Sequence, residues 1–309
     1  MSAAGPLAAY YHIVSDADVP HVKHLYPFRG VEEFLRDLET FQRKFRFISL
    51  HDLLESLRLS RQLPSNSILL TFDDGFREVH DVIAPILLKK GIPATFFIIT
   101  GCLDNRGMAH HNKISLLIEH LESRGTRAPD REILAILSGC GITAESVRRA
   151  LLSIDYEKRD VIEEIAELLG YDFQNYLSET KPYLTSEQIR KLIKLGFTIG
   201  AHTIDHPCCS RLEIDQQLEQ TRGSVLELRK RFSLNYGAFA FPHGDDKVLD
   251  HCFDEMFADS VDVSFGTGGI LKNSRPGHIH RFSTENSGQP ASQVLGRYYA
   301  RSVCKRIKG

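Results

Sequence analysis

The chain has 309 residues, of which 42% are hydrophobic and 25% charged, enough to bury a large core and unlike the composition of a disordered polypeptide. Its 38 Lys and Arg against 40 Asp and Glu leave a formal net charge of −2, and no basic run could track a phosphate backbone, which argues against nucleic acid as a partner. No stretch reaches the roughly 18 consecutive apolar residues of a membrane span.

Residues 1–11 carry no basic residue ahead of their apolar stretch, as a cleavable signal would, so export is not expected. Six cysteines (Cys102, Cys140, Cys208, Cys209, Cys252, Cys304) show neither a disulfide-framework spacing nor a CxxC pair. A cytoplasmic protein with reduced thiols is the expectation.

Short runs rich in β-branched and aromatic residues read as buried strands at 7–14, 45–49, 67–72, 94–99, 197–201, 238–241 and 261–265. Between them, helical periodicity marks 31–44, 79–90, 186–195 and 212–231, with Gly91 and Gly196 as helix stops. Strand followed by helix, repeated, predicts a parallel α/β architecture. The segment from about 102 to 182 breaks the rhythm. Apolar residues recur helically there at Ile114, Leu117, Ile118 and Leu121, at Ile133, Ile136 and Leu137, and at Ile162, Ile165 and Leu169. The pattern fits one domain spanning 1–309 with a helical insertion at 102–182, serving either as a lid or substrate-selecting element over the active face or as a stability or dimerisation element. His110 and His111, within it, read as surface or lid residues.

Two short segments carry chemistry. In Leu69–Phe76 an apolar strand runs into Asp73, Asp74 and Gly75. Adjacent carboxylates at a strand end repel one another unless a cation neutralises them, so a metal ligand beside a general base accounts for both; a solvated Asp-Asp-Gly turn is the competing account. In Ile199–Pro207 another apolar run ends in His202 and His206, four positions apart. On a helical turn that spacing puts both rings on one side. Two imidazoles need a further anionic ligand to complete a facial metal site, and Asp74 can supply it.

With these segments the chain resembles the polysaccharide deacetylase family, also called the NodB homology domain or carbohydrate esterase family four. Its first motif, Thr-Phe-Asp-Asp-Gly, stands at Thr71–Gly75, and its second, His-Ser/Thr-x-x-His, at His202–His206. The resemblance covers most of the chain outside the insertion. It implies a distorted (β/α) barrel of about seven parallel strands, related to the TIM barrel, with Asp74, His202 and His206 binding a divalent metal and Asp73 as general base.

Residues Phe239–Gly244 resemble the third motif, which lines one side of the groove, but Ala240 replaces an arginine that in many members positions the catalytic Asp. Arg281 is the candidate substitute and Arg275 the runner-up. The fifth motif, source of a histidine that protonates the leaving amine, falls in 276–282. Alternation puts His278 and His280 on one face of a strand, and His280 is taken as the acid. Phe76, Phe241, Pro242 and Arg281 are the expected substrate-binding residues, with a backbone donor near Phe76 or Phe241 for the oxyanion.

The implied activity is hydrolysis of an N-acetyl or other N-acyl group on an amino sugar in a glycan, glycolipid or sugar-nucleotide precursor. Zinc is the first expectation for the metal, with nickel, cobalt, iron and manganese suited to the same ligands. Competing readings are the same chemistry on another amide, such as a formyl sugar or a cyclic imide or ureide; a non-catalytic carbohydrate-binding protein on this fold; and an iron oxygenase, which strand–helix alternation disfavours.

Overall fold

The computed structural model describes residues 6–124, 129–270, 275–285 and 288–297. The apolar runs form strands β1 (Leu7–Tyr11), β2 (Arg46–Phe47), β3 (Ser67–Phe72), β4 (Thr95–Ile98), β5 (Thr198–Ala201), β6 (Ala238–Ala240) and β7 (Val263–Gly266), followed by β8 (His278–His280) and β9 (Phe282–Ser283). The sheet order is β8-β7-β6-β5-β4-β3-β1-β9, every pairing is parallel, and the two-residue β2 adds to β3 off this path.

Closure depends on one interrupted strand. β8 pairs with β7, and β9, one residue later, pairs with β1, so the segment 278–283 joins the two edges and the sheet becomes a nearly closed barrel of eight strands. The residue at the break is Arg281, whose N–H still donates to Gly266 O (3.0 Å). Alternation then sorts side chains into two layers. Leu69, Phe97, Ala240, Phe265 and Ile279, from five different strands, pack together, a grouping only the barrel axis allows. Ile68, Leu70, Phe72, Phe96 and Ile199 pack outward against the helices.

Helices stop at Gly91 and Gly196, as the sequence predicts. Two expected helices contain wide turns. In 79–90, Pro85 cannot donate, and the Ala84 N–H bonds back to Val79 O, five residues earlier. In 212–231 a similar π turn occupies Glu219–Gly223.

The chain divides into two compact units: the barrel, from the described residues up to Asp16, Pro27–Asp104 and Tyr183 onward, and a helical unit of Ala17–Tyr26 and Asn105–Pro182. The latter contains helices His110–Arg124, Asp130–Gly139, Val147–Leu152, Val161–Leu169 and Phe173–Thr180, with Ile114, Leu117, Ile133, Leu137, Ile162, Ile165 and Leu169 buried. Its limits differ from the expected 102–182 for hydrogen-bonding reasons. Cys102 N donates to Ile99 O and Asp104 N to Leu184 O, which keeps 102–104 with the barrel. Residues 17–26 belong to the helical unit because Asn112 Nδ2 donates to His21 O (2.8 Å) and Ser115 Oγ to Pro20 O (2.6 Å). His110 and His111 are half-buried and edge-packed on each other at 5.2 Å, not plain surface residues. Among the described residues no disulfide forms and no helix is long and apolar enough to cross a membrane.

Candidate active site

β3 is wholly buried, and the chain leaves it at Asp73, whose N–H donates to Tyr11 O (2.9 Å) at the end of neighbouring β1. Asp74 and Gly75 then take φ of 70° and 73°, left-handed values that Asp tolerates better than most residues and glycine accepts freely. This tight reversal turns the two carboxylates in different directions. Both lie almost out of solvent, at 2% and 1% exposure.

Asp74 Oδ1 lies 3.5 Å from His202 Nε2 and 3.3 Å from His206 Nε2. The three ligand atoms fall within 4.8 Å of one another. Ligands bonded at about 2.0–2.1 Å in a tetrahedral shell are separated by about 3.3 Å, so this two-imidazole, one-carboxylate set fits a divalent ion of the zinc type. His202 Nδ1 sits 2.8 Å from Ala240 O. An N–H donated there leaves the Nε2 lone pair for a metal. Burial, the largest effect, holds the His202 pKa below its usual value against the pull of Asp73 and Asp74, favouring the neutral, ligating ring.

The histidines are not on a helical turn. Residues 202–206 are a loop with Thr203 at φ 66° and His206 at φ 63°, and His206 N donates to Thr203 Oγ1 (2.9 Å). A β-branched residue at positive φ is strained and persists only where its surroundings fix it. Here Thr100 N and Gly101 N donate to Thr203 O and Ile204 O, while Gln220 Oε1, in the π turn, accepts from Ile204 N (2.9 Å) and Asp205 N (3.1 Å). A Cβ at Gly101 would come within 2.6 Å of Ile204 O, so the loop requires glycine there.

Asp73 meets Arg281. Nη1 donates to Oδ1 (2.6 Å) and Nη2 to Oδ2 (2.8 Å), a bidentate pair, and Nη1 also donates to Thr71 Oγ1 (3.1 Å). The guanidinium is fully buried between the rings of Tyr10 (4.8 Å) and Phe97 (5.3 Å). Arg281 thus supplies the cation missing at Ala240, whereas the expectation that it touches substrate is corrected: it has no exposed surface. Arg275 pairs instead with Asp250 and Asp254.

The other expected substrate contacts are corrected on the same ground. Phe76 is fully buried and stacked on Tyr183 (5.5 Å), Phe241 is fully buried among Phe239 and Phe253, and Pro242 is buried. Phe241 N already donates to Phe265 O (2.9 Å), which removes it as an oxyanion donor.

His280 is also placed differently. It shares a face with His278, as alternation predicts, but that face is opposite to Arg281 and directs both rings to Asp245. His278 Nε2 is 2.9 Å and His280 Nδ1 3.6 Å from Asp245 Oδ2.

Two histidines that the sequence reading treated as packing or motif context stand at the site. His243, exposed and at φ 60°, lies 4.7 Å ring to ring from His206. His12, following β1, places Nδ1 2.7 Å from Glu285 Oε2, and its backbone N–H also reaches that carboxylate at 3.1 Å. Burial alone would lower its pKa, but the hydrogen bond and charge of Glu285, with the charges of Asp74 and Asp73, raise it from 6.5 to about 9. The only sequence signal for the dyad was a polar residue directly after a buried strand.

Similar structures have the same barrel. The Streptococcus pyogenes deacetylase PplD in complex with acetate matches at TM-score 0.59 and 15% identity over 94% of this chain and 96% of that one. IcaB from Ammonifex degensii matches at 0.59 and 16% over 94% and 95%. A de-N-acetylase from Aggregatibacter actinomycetemcomitans matches at 0.60 and 13% over 94% and 98%. No curated protein sequence matches the chain significantly. The polysaccharide deacetylase family model matches residues 60–251, more than half of the sequence and including both acidic and histidine motifs, and the chain therefore belongs to the polysaccharide deacetylase family.

Proposed function

We propose that this protein is a metal-dependent hydrolase that removes an acetyl group from the nitrogen of an amino sugar. The observation that carries the reading is the convergence, beyond the strand ends of a parallel barrel, of the Asp74–His202–His206 set with a second carboxylate, Asp73, clamped by Arg281. Asp74, His202 and His206 would hold a divalent ion, zinc by first preference. Such an ion supplies Lewis acidity to an attacking water and to the amide carbonyl. Asp73, fixed at both oxygens by Arg281, takes the proton from the water.

His12 donates the proton to the departing amine, the role first read for His280. Its Nδ1 is committed to Glu285, which orients Nε2, and its raised pKa keeps it protonated at neutral pH. A base and an acid with separated pKa requirements are what amide hydrolysis needs, since one proton leaves water and another reaches nitrogen. A carbohydrate-binding protein would have no use for a clamped Asp73 beside the ligands.

The reading is tested by acetate release from N-acetylglucosamine oligomers, N-acetylated sugar nucleotides and glycolipids by zinc-loaded protein. Release with at least one class, abolished in Asp74→Ala, is expected. Binding of these sugars without acetate release from any of them would favour the binding protein; cleavage of a formyl sugar or a cyclic imide alone would favour the other amide.

A further inference from the structure

Outside that site, another group of titratable side chains has a ligand-like arrangement. Asp245 leaves the loop after β6, and His278 and His280 project from the outer face of β8; their ligand atoms lie within 4.8 Å of one another. Asp245 and His278 are buried, and the His280 side chain is 14% exposed. We propose that Asp245, His278 and His280 form a second divalent-cation site, distinct from Asp74, His202 and His206 and independent of the function proposed above.

The geometry is that of a prepared ligand set. The separations of 2.9 and 3.6 Å from Asp245 Oδ2 to the two ring nitrogens bracket the roughly 3.3 Å edge of a tetrahedral zinc shell. Two of the three ligands, His278 and Asp245, are held from behind, as metal ligands commonly are. Ser264 Oγ lies 2.8 Å from His278 Nδ1, which leaves Nε2 to face the carboxylate. Thr267 N donates to Asp245 Oδ1 (3.0 Å), which turns Oδ2 toward the rings.

Charge points the same way. Arg275, the cation lining the adjoining cavity, is committed to Asp250 (2.7 Å) and Asp254 (2.5 Å). A third cluster in the helical unit, His24 with Glu119 and Glu122, makes a contrast: Lys23 sits 2.8 Å from Glu119 and Arg148 2.6 Å from Glu122, so side-chain cations already neutralise it. The Asp245 set also borders a cavity of about 580 Å³ that reaches His243, which gives an ion both an entry path and room for a water ligand. An ion there would tie the β6 loop to β8, one residue from the arginine that clamps Asp73.

The test is zinc stoichiometry. Full-length protein, stripped with chelator and confirmed folded by circular dichroism, is dialysed against Zn²⁺ and its metal measured by atomic absorption. The expected counts are two per chain for the unaltered protein, one for Asp74→Ala, one for His280→Ala and none for the double variant. One per chain in the unaltered protein, lost in Asp74→Ala and unchanged in His280→Ala, would overturn the second site. Loss in His280→Ala with no change in Asp74→Ala would instead count against the first site while supporting this one. Should His280→Ala not fold, unaltered crystals soaked in zinc decide: an anomalous peak among Asp245, His278 and His280 supports the site, and its absence beside a peak at Asp74 rejects it.

Discussion

Glu285→Gln isolates the proton donor. Glu285 is buried and contributes to His12 both a 2.7 Å hydrogen bond and a negative charge, which together with the charges of Asp74 and Asp73 outweigh burial and carry its pKa from 6.5 to about 9. Glutamine preserves the acceptor but removes the charge, and a charge-assisted hydrogen bond is about twice as strong as a neutral one. Most of the increase should disappear, returning His12 to about 7. The basic limb of kcat/KM, where the free enzyme loses its essential acid, should therefore move down by about two pH units. Midway between the two limbs that is a fall from about nine-tenths to about one-tenth of the enzyme correctly protonated, a tenfold loss, with little change well below both. The same linkage acts on stability. The folded pKa is raised, so its contribution is complete below pH 6.5 and is lost as pH rises toward about 9. In metal-free protein, the advantage over Glu285→Gln should shrink by about 3 kcal/mol across that window, at about 1.4 kcal/mol per unit. Profiles that superimpose for the two proteins, or a basic limb that moves in His280→Gln instead, would refute His12 as the donor.

Arg281→Met removes one partner of a buried bidentate pair and leaves Asp73 uncompensated, so unfolding in denaturant should show a loss of about 3–5 kcal/mol together with reduced turnover; a loss below 1 kcal/mol would show that the pair is not sealed from water. Asp74→Ala and His202→Ala should lose zinc and acetate release together, whereas Asp73→Asn should keep its zinc and lose about a hundredfold or more in turnover, as measured on metal-quantified protein. Gly101→Ala places a methyl 2.6 Å from Ile204 O and should displace the histidine loop, weakening zinc binding with little effect on global unfolding; unchanged zinc affinity would mean that the loop yields without moving His202 or His206.

The legible part of the site was the part contiguous in sequence. Asp73 and Asp74 announce themselves because a buried strand ending in two carboxylates is costly without a cation. His202 and His206 were also found, but the reason offered for their convergence was a helical turn, and the chain uses a strained loop. Side-chain identity at four-residue spacing does not distinguish the two, because the left-handed Thr203 is fixed by Thr100, Gly101 and Gln220 from elsewhere in the chain. Strand alternation correctly put His278 and His280 on one face but could not say which face the axis claims. That depended on Arg281 turning inward to Asp73.

The pairs that depend on closure are those separated by the whole barrel; His12 with Glu285 went unread, whereas Arg281 was already the candidate partner of Asp73. Asp73 and Arg281 are 208 positions apart, and His12 and Glu285 are 273. Both pairs form because the interrupted segment 278–283 closes the barrel against β1, carrying Arg281 under Asp73 and Glu285 beside His12. If Asp73 is the base proposed above, this accounts for alanine at 240. What Asp73 requires is a guanidinium in the barrel interior, and Ala240 shares that interior with Phe97 and Phe265, whose rings flank Arg281. A small side chain on β6 and a long one at the β8–β9 break are then two halves of one arrangement. It follows that restoring arginine at 240 alone should not restore a better site: two guanidiniums would compete for one buried carboxylate, and the second would be a buried cation without a partner.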